Sequence, residues 1–300
     1  MAKNKPRRAI LLLLFRFVSL LILIVPLRLG LILGQAAGRF CFYILKKERE
    51  KALDNLDIAF GDSKSGREKT RIARGVFENL GKNFIEVISI PKFSKDCLSR
   101  YIVCKGIDIL QRFINEGKGL IIVSAHLGNW ELLAHYISIK GFPLSVIARR
   151  VRMHGLEIYL SRIREKNRVN VIYRDASIKE IAGVLRHRGL VGIMPDQDMD
   201  SVSGVFVDFF ERQTWTPIGA SVLNILTEAP VIPCFIVRRK FGNEILIEEP
   251  IELQKTGDRQ RDILENTQRY TRVIENYIRS FPEQWVWFHD RWKTKPSELT

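Results

Sequence analysis

Three observations predict an α/β fold, a single domain whose mixed, mostly parallel sheet is flanked by helices and preceded by an apolar N-terminal helix. From Leu98 onward, short apolar runs suited to buried strands alternate with segments whose apolar residues recur at helical spacing. Polar residues stand just after those runs: His126 after Leu120–Val123, Arg149 and Arg150 after Pro143–Ala148, and Asp196, Gln197 and Asp198 after Leu190–Met194. Open α/β sheets collect their functional groups at strand C-termini in this way. The 300 residues suffice for one large domain with an attachment. The expected division is a basic tip and hydrophobic membrane anchor over 1–38, a helical lead-in over 39–97, and the α/β domain over 98–300.

Met1–Arg8 carries Lys3, Lys5, Arg7 and Arg8, and Ala9–Leu33 is strongly apolar, interrupted by Arg16 and Arg28 and bent by Pro26. As one helix it is roughly 37 Å long, against a hydrocarbon core of roughly 30 Å. The uninterrupted part, Phe17–Leu27, is too short to span alone. Either the arginines snorkel to opposite headgroup layers or the helix lies partly in one leaflet. A cleaved signal peptide is the rival reading, but the apolar region is too long and twice charged. The segment therefore reads as a retained membrane anchor, and basic residues on both sides leave its orientation open. Lys46–Asp62 reads as a charged helix. Ser65–Ile90 reads as an amphipathic one, with Ile72, Val76, Leu80, Phe84 and Val87 on one face.

Within the α/β region, the pattern predicts strands at Leu120–Val123, Pro143–Ala148, Val169–Tyr173, Leu190–Met194 and Val231–Val237. Helices are expected from Trp130, over His154–Lys166, Ser177–Arg186 and Pro217–Leu226, with Pro217 in the first turn. Val205–Phe210 is apolar and aromatic, and Asp258–Phe281 closes with an amphipathic helix before PEQWVWFHDRWK.

Lys and Arg outnumber Asp and Glu by 48 to 33, a formal charge of +15. Such an excess suits an anionic lipid, a phosphorylated substrate, an acidic carrier protein or nucleic acid. The charge is spread along the chain without an RNA-recognition or zinc-finger signature, which argues against nucleic acid. Cys41, Cys97, Cys104 and Cys234 form no CxxC pair or metal pattern and suit small buried residues in a reducing compartment.

The chemistry concentrates in GLIIVSAHLGNWELLAHY, Gly119–Tyr136. On a continuous helix, residues five apart diverge by about 140°. His126 and Glu131 therefore meet only if the chain turns between them. Gly128 permits the turn, and Asn129 is a good N-cap for the next helix. A carboxylate on one imidazole nitrogen would leave the other free to take a proton from a hydroxyl. The ordinary alternative is a surface histidine beside a first-turn glutamate. The acids of PDQD, Asp196 and Asp198, read by themselves as a solvated turn, a cap or a metal site.

HLGNWE after an apolar strand resembles the His-x4-Asp/Glu block of the glycerolipid and lipid A acyltransferase superfamily, and more narrowly that of the bacterial lipid A late acyltransferases. PDQD, GVFVDFFERQTWTPIG and PEQWVWFHDRWK resemble later blocks of that family, and KALDNLDIAFGD resembles an earlier one. Asp208 and Glu211 stand where the family commonly has Pro and Gly, and Gly61 where it commonly has Pro. The resemblance runs from the N-terminal segment to Lys293. It implies a glycerolipid-acyltransferase-like domain and an O-acyltransferase acting at the cytoplasmic face of the bacterial inner membrane. Acyl-acyl carrier protein, or else acyl-CoA, is the expected donor. A lipid A precursor, or else another glycolipid, phospholipid or aminolipid, is the expected acceptor. No metal or cofactor is implied. His126 is the expected general base with Glu131 orienting it. Asn129, Arg149, Arg150, Arg164, Asp196, Gln197 and Asp198 are the expected substrate-binding residues. Backbone N–H groups around Leu127–Asn129 are candidate oxyanion donors. Ser124 is an alternative nucleophile, though the chain has no Gly-x-Ser-x-Gly elbow. A hydrolase using the same dyad and a non-catalytic protein that binds anionic lipid are the remaining readings.

Overall fold

In the computed structural model, residues 5–149, 154–166, 168–173 and 176–296 are described. Arg150 and the first residues of the basic tip lie outside them. The apolar N-terminal stretch is two helices rather than one, α1 (Lys5–Ile24) and α2 (Leu27–Ile44). The break falls at Pro26, which has no N–H to continue a helix and whose ring disfavours the helical conformation before it. The Lys92 ammonium donates to the carbonyls of Ile22 and Val25, both at 2.8 Å, at the C-terminal end of α1. Among the described residues, no helix is long and apolar enough to cross a membrane. The expected single N-terminal membrane helix is therefore corrected to a broken pair. One side of the pair leaves Leu13, Phe17, Leu20, Ile24, Ile32, Leu33 and Phe40 exposed.

The other side of α2 packs on α4 (Gly66–Ser89). Gly30, Gly34 and Gly38 recur every fourth residue and face Phe77, Gly81 and Ile85. A Cβ on Gly38 would overlap the Phe77 carbonyl, so the close approach requires glycine there. α3 (Lys46–Phe60) connects the two, and α4 begins at a capping box formed by Ser65 and Glu68.

A short helix, α5 (Lys95–Tyr101), leads into the α/β part: β1 (Ile102–Lys105), α6 (Ile107–Asn115), β2 (Leu120–Val123), α7 (Trp130–Ile139), β3 (Leu144–Ala148), α8 (His154–Lys166), β4 (Asn170–Tyr173), α9 (Ile178–Arg186) and β5 (Leu190–Ile193). The chain continues through β6 (Gly204–Phe209), β7 (Arg212–Pro217), α10 (Gly219–Thr227), β8 (Val231–Arg238), β9 (Asn243–Ile247) and α11 (Arg259–Ser280). Seven strands form one sheet in the order β1-β9-β8-β2-β5-β3-β4, and only β8 and β9 pair antiparallel. The mixed, mostly parallel α/β architecture matches the sequence expectation. β1, β9, α5 and α6 were not anticipated individually. β6 and β7 make a separate hairpin whose two-residue turn places Phe210 and Glu211 at φ 52° and 60°. Glycine adopts that left-handed geometry at no steric cost, whereas this chain holds Phe210 and Glu211 in it.

Side chains alternate across the sheet. Ile121 and Val123 of β2 join Val191 and Ile193 of β5 in one core with α9, α10, α11, Trp285 and Trp287. Leu120 and Ile122 join Leu132, Leu133, Tyr136 and Ile137 of α7 in the other. The first core also contains Ala52, Leu56, Ile72 and Phe77, so α3 and α4 are built into it.

The glycine contact generates a test. Gly38→Leu is expected to cost about 1–3 kcal/mol through overpacking against α4. Limited proteolysis is expected to cut faster near Leu45, while peptides from β2, β5 and α11 keep their wild-type hydrogen-exchange protection.

Candidate active site

β2 and β5 are neighbours in register, with Val123 opposite Ile193. Three residues beyond these, at the same end of the sheet, stand His126 and Asp196. The Asp196 carboxylate is fully buried and takes three hydrogen bonds. His126 donates its backbone N–H to Oδ2 (2.8 Å), Trp285 donates Nε1–H to Oδ2 (2.7 Å), and the His126 Nδ1 lies 2.9 Å from Oδ1. An ionised carboxylate at Nδ1 fixes the proton there and leaves Nε2 as the acceptor. The imidazole is about 20% exposed and packs edge-on against Trp130, with ring centroids 5.1 Å apart.

The orienting carboxylate is therefore Asp196, and the expectation for Glu131 is corrected. Glu131 sits in the first turn of α7 and receives both Nε, at 3.0 Å, and Nη2 of Arg164 on α8. The chain does turn at Gly128 (φ 59°), but it directs Glu131 towards α8 while the parallel neighbour strand delivers Asp196. Glu131 remains near enough for its charge to act on the imidazole.

Electrostatics support this assignment. Burial pulls the His126 pKa down, but the Asp196 charge and hydrogen bond, helped by Glu131, prevail and raise it above the ordinary 6.5. Burial pushes the Asp196 carboxyl up, but the charge and hydrogen bond of His126, with Trp285 and the His126 amide, hold it down at about 2. Asp196 is thus ionised across the neutral range.

The turn itself is closely held. Gly128 donates its N–H to the Gln284 carbonyl (3.0 Å), and the Val286 N–H reaches the His126 carbonyl (3.2 Å). A Cβ on Gly128 would overlap the Ile236 carbonyl, a second reason for glycine beside its positive φ. Asn129 caps α7 through Oδ1 to the Leu132 N–H at 3.2 Å and turns its amide inward to Glu86 Oε2 at 2.8 Å. Its side chain is therefore committed to the fold rather than offered to substrate.

His126 faces a cavity of about 910 Å³, walled by Asn83, Phe84 and Val87 of α4, Leu160 and Arg164 of α8, the segment after β5, and Phe288, His289, Asp290 and Lys293. Arg149 and Gln197 line it. Asp198 also borders it, but its two oxygens accept the Thr294 N–H and hydroxyl, both at 2.8 Å, tying down the C-terminal segment. Arg150 lies outside the described residues. Behind Trp130, Glu131 and Arg164 a second, apolar recess of about 70 Å³ runs between α7 and the sheet, lined by Leu133, Ile137, Leu144, Val146 and Gly192. Two contributors escaped sequence reasoning. Trp285 holds Asp196, and His289 stands on the cavity wall. The Trp and His of PEQWVWFHDRWK were visible, but not where that block would dock.

The chain has relatives of known name. The model of the bacterial lipid A biosynthesis acyltransferase family matches residues 2–294. The lipid A biosynthesis palmitoleoyltransferase of Escherichia coli (strain K12) is 26% identical over 267 residues, covering 88% of this chain and 85% of that protein. The lipid A biosynthesis lauroyltransferase of the same strain is 26% identical over 275 residues, covering 90% and 85%. A phosphatidylinositol mannoside acyltransferase of Mycobacterium tuberculosis is 24% identical over 229 residues, covering 74% and 70%.

The coupling of His126 to Asp196 predicts a titration. With histidine Cε1 labelled by ¹³C, the His126 signal is expected to titrate with its midpoint above 6.5. Asp196→Asn removes the main opposing charge, so burial lowers the midpoint below 6.5. An unchanged midpoint would show that Asp196 does not govern this imidazole.

Proposed function

The chain belongs to the bacterial lipid A biosynthesis acyltransferase family and is an acyltransferase, and we propose that it moves a fatty acyl group from a carrier thioester to a hydroxyl of a lipid A precursor, with His126 as general base and Asp196 as its orienting partner. The observation that carries the mechanism is the His126–Asp196 pair, which leaves Nε2 of His126 open to a 910 Å³ cavity.

In the proposed reaction the acceptor O–H gives its proton to Nε2 as the oxygen attacks the thioester carbonyl carbon. The imidazolium so formed is stabilised by ionised Asp196, as the buried aspartate does in a catalytic triad. The N–H groups of Asn129, Trp130 and Glu131, at the start of α7, have no intrahelical acceptor, and the helix dipole favours negative charge there. They are the proposed donors to the oxyanion. Collapse of the tetrahedral intermediate breaks the C–S bond, and His126 returns the proton to the departing sulfur. The products are an ester and a thiol, with no covalent acyl-enzyme required.

The apolar recess behind Trp130 suits the distal methylenes of an acyl chain. Gly192 is informative here. A Cβ at this half-buried strand position would make only ordinary contacts, 3.5 Å to Val146 and 3.6 Å to Leu144. No steric demand of the backbone requires glycine, so its effect is to keep the recess open.

Acyl carrier protein is the proposed donor because its acidic surface complements a chain of formal charge +15. Arg149 on the cavity rim is a proposed contact for phosphate on the acceptor. The exposed apolar side of α1 and α2 supports attachment at the cytoplasmic surface of the inner membrane, with the helices lying in the interface. The mycobacterial relative's name keeps a different glycolipid acceptor as the second reading.

The deciding experiment is transfer of labelled acyl groups from acyl carrier protein to a phosphorylated lipid A precursor by the detergent-solubilised protein. His126→Ala is expected to abolish transfer, and Asp196→Asn to lower kcat by about 10³- to 10⁴-fold. Because the base must be neutral, wild-type kcat/KM is expected to rise with pH through a limb above 6.5. Transfer only to a phosphatidylinositol mannoside would move the acceptor to the second reading; no transfer to either would remove the proposed substrates.

Gly192→Val is expected to shift preference towards shorter donors, by roughly 10- to 200-fold for each methylene excluded. Competition between donors of different length measures this, and an unchanged profile would take the acyl chain out of the recess.

A further inference from the structure

Beneath the catalytic turn lies a polar cluster that meets the cavity at Asn83 and Asn129 and otherwise lies behind its wall. Glu86 on α4 is completely buried, and its carboxylate is ionised: burial opposes the charge, but Arg238 and the surrounding donors outweigh it. Arg238, at the end of β8, donates to both oxygens of Glu86 at 2.7 Å. Asn129 at 2.8 Å and Asn243 at 2.9 Å add amide donors, and the Tyr101 hydroxyl adds another. One turn earlier on the same helix face, Asn83 accepts from Arg238 at 2.7 Å and donates its own amide to the Gly128 carbonyl at 2.6 Å.

The last bond has a directional consequence. In a trans peptide the carbonyl and the N–H point opposite ways. Holding the Gly128 carbonyl against Asn83 therefore aims the Asn129 N–H away from α4. The Glu86 bond to the Asn129 side chain fixes the other flank of that peptide, and the N-cap bond to Leu132 sets the start of α7. We infer that Asn83 and Glu86 are positioning residues which, by clamping the Gly128–Asn129 peptide, aim the N–H groups at the start of α7 at the oxyanion of the transfer reaction. This rests on the acyl-transfer reading above. It assigns a task to a charged pair that replacement by a nonpolar pair would make unnecessary for burial alone.

The test uses the full-length, detergent-solubilised protein. Glu86→Gln strips Arg238 of its countercharge and endangers the fold. Asn83→Asp is therefore the primary variant, because it keeps an acceptor for Arg238 and turns the donor to Gly128 into a carboxylate oxygen that repels that carbonyl. The expected result is a fall in kcat of about 10- to 100-fold. KM for donor and acceptor stays within about twofold, and the pH limb is unmoved because Asp196 still governs His126. Hydrogen exchange is expected to quicken in the peptide spanning Leu127–Leu133 and nowhere else. Wild-type kcat in Asn83→Asp, or a loss of activity matched by faster exchange throughout the molecule, would overturn the positioning role. Should the wild-type protein itself transfer no acyl group, the substrate reading is what fails, and exchange at Leu127–Leu133 still decides whether the clamp exists.

Discussion

The buried carboxylate of Asp196 is the interaction on which the rest of the site depends. A charge without solvent is stable only where donors replace the water it has lost. Here three donors come from two places in the chain: the backbone and ring of His126, and the indole of Trp285. The bonds therefore join the end of β2, the end of β5 and the C-terminal block. Each bond helps keep Asp196 ionised, and ionised Asp196 is what makes His126 a basic, singly oriented imidazole.

Sheet topology makes this meeting possible. β2 and β5 are 70 residues apart in sequence yet adjacent and parallel, so groups three residues beyond Val123 and Ile193 emerge at one level. α4 supplies the opposing wall. Its apolar side joins the core that holds Ile72, Val76 and Phe77, while Asn79, Asn83 and Glu86 face the catalytic turn and Arg238. The same helix also receives the glycine face of α2, and so links the exposed apolar helices to the chemistry.

Much of this was legible in the sequence, and the failures have a common physical origin. The alternating pattern identified the strands that carry His126 and Asp196, and Gly128 and Asn129 revealed the turn and its cap. The turn at Gly128 and the resemblance to the His-x4-Asp/Glu block then suggested Glu131 as the partner of His126. Strand order is a non-local property that periodicity does not encode, and it was strand order that brought in Asp196. The partners of Asn129 and Asp198 escaped notice for the same reason: Glu86 and Thr294 are 43 and 96 residues away. The N-terminal stretch failed differently. Its apolar length was plain, and Pro26 was seen as a bend, but a prolyl ring between two helices ends one and starts another.

The strap formed by residues 284–294 has a consequence for how the protein comes into being. Gly128, His126, Asp196 and Asp198 all lean on groups in that last stretch. A ribosome that has already released the whole histidine motif has still not made a competent site. Competence arrives only once residues 284–294 have been made, after the apolar helices α1 and α2 have long been available to find their surroundings. A chain cut before residue 284 would keep every residue of HLGNWE and PDQD and yet lack the scaffold that brings them into register.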